Sequence, residues 1–218
     1  MAKIYQVFVG CPFSRDVRRT YDRFKREVEA ETPLSVVLAD TVGVTSSDYL
    51  LEHITELIRE SAGCVFDATG ANPNVSLEVG IAHAIPVQFL LTLKTRKKRK
   101  GSRKDTEVRS IISDLQGRNR IEYKVFDTLK QQLFERYLQS LPYMQRWLRF
   151  ERDHQSLAPL VLPLFADMRS SGRSSRPRLQ ALLDGTGFSP SEAVAALTRN
   201  KLLVAKRGPG GGYFYPTK

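Results

Sequence analysis

The chain is poor in residues that bind metals or cross-link a fold. It holds two cysteines, Cys11 and Cys64, and three histidines, His53, His83 and His154. Two cysteines cannot build a disulfide framework or a four-cysteine zinc site, and no histidine stands at ligand spacing to them. A resident metal is therefore not expected, and no bound cofactor is called for. Long apolar runs are also missing. The longest, Ile81 to Leu93, is broken by His83, Pro86 and Gln88 and is too short to span a bilayer. The start, Met1-Ala2-Lys3-Ile4-Tyr5-Gln6-Val7, lacks a signal-peptide core and cleavage site. Glycine has no period, which excludes a collagen-like chain. Together these absences predict a cytoplasmic protein with reduced cysteines and no membrane partner.

What is present fits a globular protein. Hydrophobic residues make up 41% and charged residues 26% of 218. That length allows one large domain, or one domain with a small appendage. The net charge is +11, which points to a polyanionic partner such as DNA or RNA.

The first 150 residues alternate short apolar runs with helical patterns. Strands are expected at Ile4 to Val9, Leu34 to Leu38, Cys64 to Phe66, Val87 to Leu93 and Ile121 to Phe126. Helices are expected at Arg15 to Glu29, Tyr49 to Ile58, Val75 to Ala84 and Glu107 to Leu115. A long helical stretch follows from about Leu129 towards Arg152, bent at Pro142. Such alternation predicts an α/β fold: a five-stranded parallel sheet with helices on both faces. Ligands of open parallel sheets bind at the carboxyl ends of the strands, so the loops after Val9, Leu38 and Phe66 should form one pocket.

Residues 156–218 read as a second, smaller domain. Helices are expected at Leu157 to Met168, Arg178 to Leu183 and Pro190 to Asn200, with a polar linker from Arg169 to Ser175. Ser189, Pro190 and Glu192 form a helix-start signature. Two short apolar runs then flank the glycine-rich Lys206 to Gly212. This is the layout of a winged helix-turn-helix, in which the third helix enters the major groove. Ser191, Ala195, Thr198 and Arg199 are its candidate exposed face, and Lys206 and Arg207 are candidate phosphate contacts at the wing. Arg169, Arg173, Arg176, Arg178 and Lys201 add to the basic character of this part. Val194, Leu197, Leu202 and Leu203 read as core. A further basic run, Lys94 to Lys104, carries eight positive and no negative residues. Lys97, Lys98, Arg99 and Lys100 at its centre suit either phosphate attraction or a solvated loop.

The richest segment runs from Phe66 to Ala84. Asp67 sits where a strand meets its loop, Gly70 permits a tight turn, and Asn72-Pro73 restarts the chain as helix. Glu78 follows on that helix, with Ala82 one turn later on the same face and Gly80 nearby. A carboxylate beside small residues leaves room for a ligand. The same residues also allow plainer readings: Asp67 as a loop cap, Glu78 as a solvated helix residue, His83 as a partly buried helix residue.

The pattern Asp67-x-Thr69-Gly70-x-Asn72-Pro73-Asn74-Val75-x-x-Glu78-x-Gly80-x-Ala82-His83-Ala84 resembles the signature of TIR-like and nucleoside 2-deoxyribosyltransferase-like domains. Val7 to Phe13 is similar to their first strand and substrate loop, and Asp114 to Gly117 before Ile121-Glu122-Tyr123 to the approach to their last strand. The resemblance implies a flavodoxin-like, TIR-like sheet and an enzyme that cleaves or transfers N-glycosidic bonds. NAD or another nucleotide would be substrate rather than cofactor, and a homo-oligomer is compatible with the family. It also implies Glu78 as the carboxylate at the anomeric carbon and Asp67 on ribose hydroxyls. Gly10, Cys11, Pro12, Phe13 and Ser14 would form the substrate wall, with Thr69, Asn74 and Ala82 beside it. Fusion to a winged helix resembles prokaryotic defence effectors. The Asp67-to-Glu78 spacing exceeds that of typical deoxyribosyltransferases, which favours a glycohydrolase. A non-enzymatic, nucleotide-sensing DNA-binding regulator is the alternative.

Overall fold

The computed structural model describes residues 3–39, 47–95, 120–208 and 211–217. Five parallel strands form the central sheet: β1 (Lys3–Gly10), β2 (Ser35–Leu38), β3 (Ser61–Asp67), β4 (Phe89–Lys94) and β5 (Arg120–Tyr123), in the order β2-β1-β3-β4-β5. This is a doubly wound order whose switch point lies between β1 and β3. Registers such as Val9↔Leu38, Val9↔Val65, Phe66↔Leu91 and Thr92↔Ile121 align the strand ends that carry the loops of interest.

Both faces are covered, as the nearly all-apolar strands require. Helix α1 (Arg15–Glu31) buries Val17, Tyr21, Phe24 and Val28, a 3.6-residue stripe, against one face. Helices α2 (Ser47–Glu60) and α3 (Pro73–Ala84) cover the other. There Ile58, Val75, Val79 and Ala82 pack with Phe8, Cys64 and Phe66 of the sheet.

The stretch after β5 departs from the single bent helix expected. Strand β5 stops at Tyr123, and Phe126 opens α4 (Phe126–Arg136) instead of ending a strand. At Tyr137 the backbone leaves helical geometry (φ −136°, ψ −61°), a 3₁₀ turn spans Leu138–Ser140, and Pro142 starts α5 (Pro142–Asp153). Burial of Tyr137 explains the break. Its hydroxyl donates to Gln88 O at 2.7 Å and accepts from Cys64 N–H at 2.8 Å, joining the middle of β3 to the entry of β4. The expected helix from Glu107 to Leu115 lies outside the described residues, as do Asp114 to Gly117.

Helix α6 (Ala158–Ser171) follows, with Trp147 of α5 against Phe165 at 5.7 Å in an edge-on pair. The expected linker from Arg169 to Ser175 is largely structured. Helix α6 runs to Ser171 and ends on left-handed Gly172, and Ser174–Ser175 form strand β6. Arg169 donates to Glu29 O (2.6 Å) and Leu34 O (3.2 Å), tying α6 to the end of α1. It is thus a structural contact and not part of a basic surface. Helices α7 (Arg176–Leu183) and α8 (Pro190–Arg199) and strands β7 (Leu203–Gly208) and β8 (Gly211–Pro216) complete the chain. Ser189 and Glu192 make the reciprocal cap that starts α8. The second sheet is antiparallel in the order β6-β8-β7. Leu197, Leu202 and Leu203 are buried, and Val194 packs beside them. Tyr143 of α5 donates to Leu202 O at 2.6 Å, and one apolar core continues from β1 to Phe214. Among the described residues no helix is long and apolar enough to cross a membrane.

Candidate active site

Gly10 ends β1, and the backbone then turns through Cys11 to Ser14 into α1. Asp67 ends β3, and residues 68–72 lead into α3. In that loop Gly70 and Ala71 both take positive φ, 77° and 50°. The turn is held by its own polar groups. Asn72 caps α3, accepting from Asn74 N–H (2.9 Å) and Val75 N–H (3.3 Å), with Pro73 at the first helical position. Thr69 Oγ1 accepts from Lys94 N–H at 2.8 Å, which fastens the loop to the end of β4.

Asp67 is fully buried, and both its oxygens are engaged. Oδ1 accepts from Thr69 N–H at 2.8 Å, and Oδ2 from Tyr123 Oη–H at 2.6 Å. Tyr21, bonded to Thr92 Oγ1 at 2.6 Å, stands in the same group. Burial, and then the Asp67 charge, push the phenols of Tyr21 and Tyr123 upward, so both are neutral. Asp67 therefore anchors the loop and presents no oxygen to a ribose in this structure. The bond of Tyr123 to Asp67 spans 56 residues and that of Tyr21 to Thr92 spans 71, so no local signal in the sequence reveals either.

Glu78 is buried too, but it lacks such partners. It is 6% exposed, and its Oε2 has no hydrogen-bond partner among the described residues. The carboxylate lies against Gly10. A Cβ at that glycine would overlap Glu78 Oε2 and come within 2.7 Å of the Phe66 ring. Burial alone pushes the Glu78 carboxyl up to about 7. An unpaired buried carboxyl costs stability, so its presence calls for a reason other than packing.

Asp67 and Glu78 lie on opposite faces of the sheet. Successive strand residues point to opposite faces. Phe66 packs on the α3 side, so Asp67 turns to the α1 side, where Tyr21 and Tyr123 sit. Glu78 comes down from α3 onto the Phe66 side.

A cleft of about 540 Å³ opens at the carboxyl ends of the strands. Pro12, Phe13, Ser14, Thr69, Asn72 and Lys94 are among its walls, and Phe13 is 57% exposed. Gly10, Cys11, Asp67 and Glu78 do not line it. Ala82 is buried in the α3 core, while Asn74 and His83 are exposed on α3. The Cys11 and Cys64 thiols are both pushed up to about 12, chiefly by burial, with the Glu78 charge adding to the effect on each. Neither is an activated nucleophile. Among the described residues no His, Cys, Asp and Glu cluster could hold a metal ion. Lys97, Lys98, Arg99 and Lys100 lie outside the described residues. Arg199, Lys206 and Arg207 are exposed.

The sequence matches no protein-family profile and no curated protein. Solved structures similar to the chain include a 2-desoxiribosyltransferase from Leishmania mexicana, at 13% identity and a TM-score of 0.37, covering 42% of this chain and 66% of that one. A conserved protein from Enterococcus faecalis V583 is similar at 13% identity and a TM-score of 0.45, covering 60% and 98% of the two chains. The CMP N-glycosidase BcmB of Clostridium botulinum is similar at 16% identity and a TM-score of 0.38, covering 59% and 98%.

Proposed function

We propose that the chain cleaves or transfers the N-glycosidic bond of a nucleotide-like substrate, NAD or a nucleotide, with Glu78 as the carboxylate at the sugar. The observation that carries this is the Glu78 side chain, buried against Gly10 with an oxygen left unpaired. Breaking a sugar C–N bond builds positive charge on the anomeric carbon. A fixed anionic oxygen stabilises that charge by ion pairing or by forming a transient ester. The low-dielectric setting that makes the carboxylate costly in the empty protein strengthens its attraction to the cationic sugar. Asp67 acts at one remove, as a positioning residue that fixes Thr69 and the entry to α3. Phe13, exposed at the cleft, offers a ring for the departing base.

In this reading residues 1–150 carry the chemistry, and residues 156–218 form a winged-helix unit that binds DNA or RNA and couples the activity to it, as a defence effector would. The basic residues around β7 and β8 support the coupling. The test is base release from NAD, nucleoside monophosphates and deoxynucleosides, with and without DNA or RNA. Release that stops in Glu78→Gln supports the proposal, and release that persists in that variant removes Glu78 from the chemistry.

One observation favours a second reading. Glu78 is not among the residues that line the cleft, so a nucleotide held by Phe13, Thr69 and Lys94 need not touch the carboxylate. A regulator that senses a nucleotide without turning it over fits that arrangement. Saturable nucleotide binding with no product, coupled to altered DNA affinity, would select it.

A further inference from the structure

The two tyrosines of β8 stand on the outer face of the C-terminal sheet. Phe214 between them is 2% exposed and points into the core, so Tyr213 and Tyr215 point the other way. They lie about 7 Å apart along the strand. In the antiparallel register Lys206 stands opposite Tyr213 and Val204 opposite Tyr215, while Ser175 of β6 flanks Tyr213 on its other side. Val204 is 40% exposed and Tyr213 and Tyr215 are half-buried, so part of each ring is accessible on this face.

Each tyrosine carries a cation. The Arg173 guanidinium lies 4.4 Å from the centre of the Tyr213 ring, and Lys206 Nζ lies 5.3 Å from the centre of the Tyr215 ring. Among the described residues no carboxylate forms an ion pair with either. Arg178 nearby is different, being paired with Asp167 at 3.1 Å. A cation held over a ring keeps its charge available to an outside anion and is already ordered for it. By contrast, the exposed face of α8 offers Ser191, Ala195 and Thr198, with Arg199 as its one cation. That is a weak surface for a duplex.

We propose that single-stranded nucleic acid binds across this sheet face, with bases stacked on Tyr213 and Tyr215 and phosphates drawn to Arg173 and Lys206. The inference rests on the reading of the C-terminal unit as nucleic-acid-binding, and it moves the contact from α8 to the sheet. Rings on a flat strand can reach bases only where those bases are unstacked, which a duplex does not offer and a single strand does. Lys and Arg beside the rings supply the sequence-independent attraction to phosphate.

The experiment uses the full chain and fluorescently labelled oligo(dT), oligo(U) and a mixed-sequence duplex, with anisotropy read over a range of salt. Single strands bind more tightly than the duplex, and the two homopolymers show whether DNA or RNA is preferred. Tyr213→Ala and Tyr215→Ala each weaken single-strand binding about fivefold to a hundredfold, and Tyr215→Phe binds as the parent does. Lys206→Ala lowers the slope of log affinity against log salt by about 0.7. Thermal unfolding checks each variant, and if Tyr213→Ala does not fold, Tyr215→Ala and Lys206→Ala decide. Single strands bound equally well by the tyrosine-to-alanine variants overturn the sheet as the surface, while the nucleic-acid reading stands. A duplex preference lost in Arg199→Ala overturns it in favour of α8. No binding to any oligonucleotide overturns both.

Discussion

The Glu78 carboxylate rests on Gly10 at a point where the strand has no room for a side chain. The glycine and the acid therefore form one unit. Gly10→Ala forces Glu78 aside and crowds Phe66. We expect it to lower stability by about 1–3 kcal/mol in urea denaturation, the usual cost of overpacking, and to abolish base release.

The same carboxyl makes stability depend on pH. Burial holds it up at about 7, against 4.5 for the ordinary group. Between those values the unfolded chain has released a proton that the folded chain retains, so stability falls as pH rises from about 4.5 to about 7 and levels off above. The loss attributable to Glu78 is about 3 kcal/mol. Glu78→Gln, which stays neutral, removes that slope. It should be about 3 kcal/mol more stable than the parent at pH 8 and close to it at pH 4, as read by denaturation at both values. If the ionised form does the chemistry, base release in the parent climbs with pH through about 7.

Tyr123→Phe removes the donor to Asp67 Oδ2 without changing the ring. It strands a buried carboxylate oxygen, so a loss of about 1–3 kcal/mol is expected in thermal or urea unfolding. Amide exchange at Thr69 should quicken, because its N–H is held by the same carboxylate.

Cys11 and Cys64 should resist alkylation in the folded protein at pH 8, since their thiols are buried and pushed up to about 12. Mass spectrometry after iodoacetamide treatment should find both unmodified until denaturant is added.

Much of the α/β layer was legible in the sequence because its signals are local. The apolar runs of β1 to β4, the stripe of Val17, Tyr21, Phe24 and Val28, the Asn72-Pro73 helix start and the Ser189–Glu192 cap each lie within a few residues. What stayed hidden depends on partners far away. The helix after β5 breaks at Tyr137 because that hydroxyl reaches Cys64 and Gln88. Strand β6 consists of two serines and exists because β8 pairs with it. The segment around Asp67 and Glu78 stood out as unusual, but not the separation of the two acids. That separation follows from the alternation of Phe66 and Asp67 across the sheet, which appears once the register is known.

The seam between α5 and α6 bears on how the protein can be dissected. Trp147 and Phe150 are covered by Phe165 and its neighbours, and Arg169 grips the turn that follows α1. A gene fragment stopping at residue 150 would lay bare this aromatic surface and invite aggregation during expression. One extended through Gly172 would retain the cover.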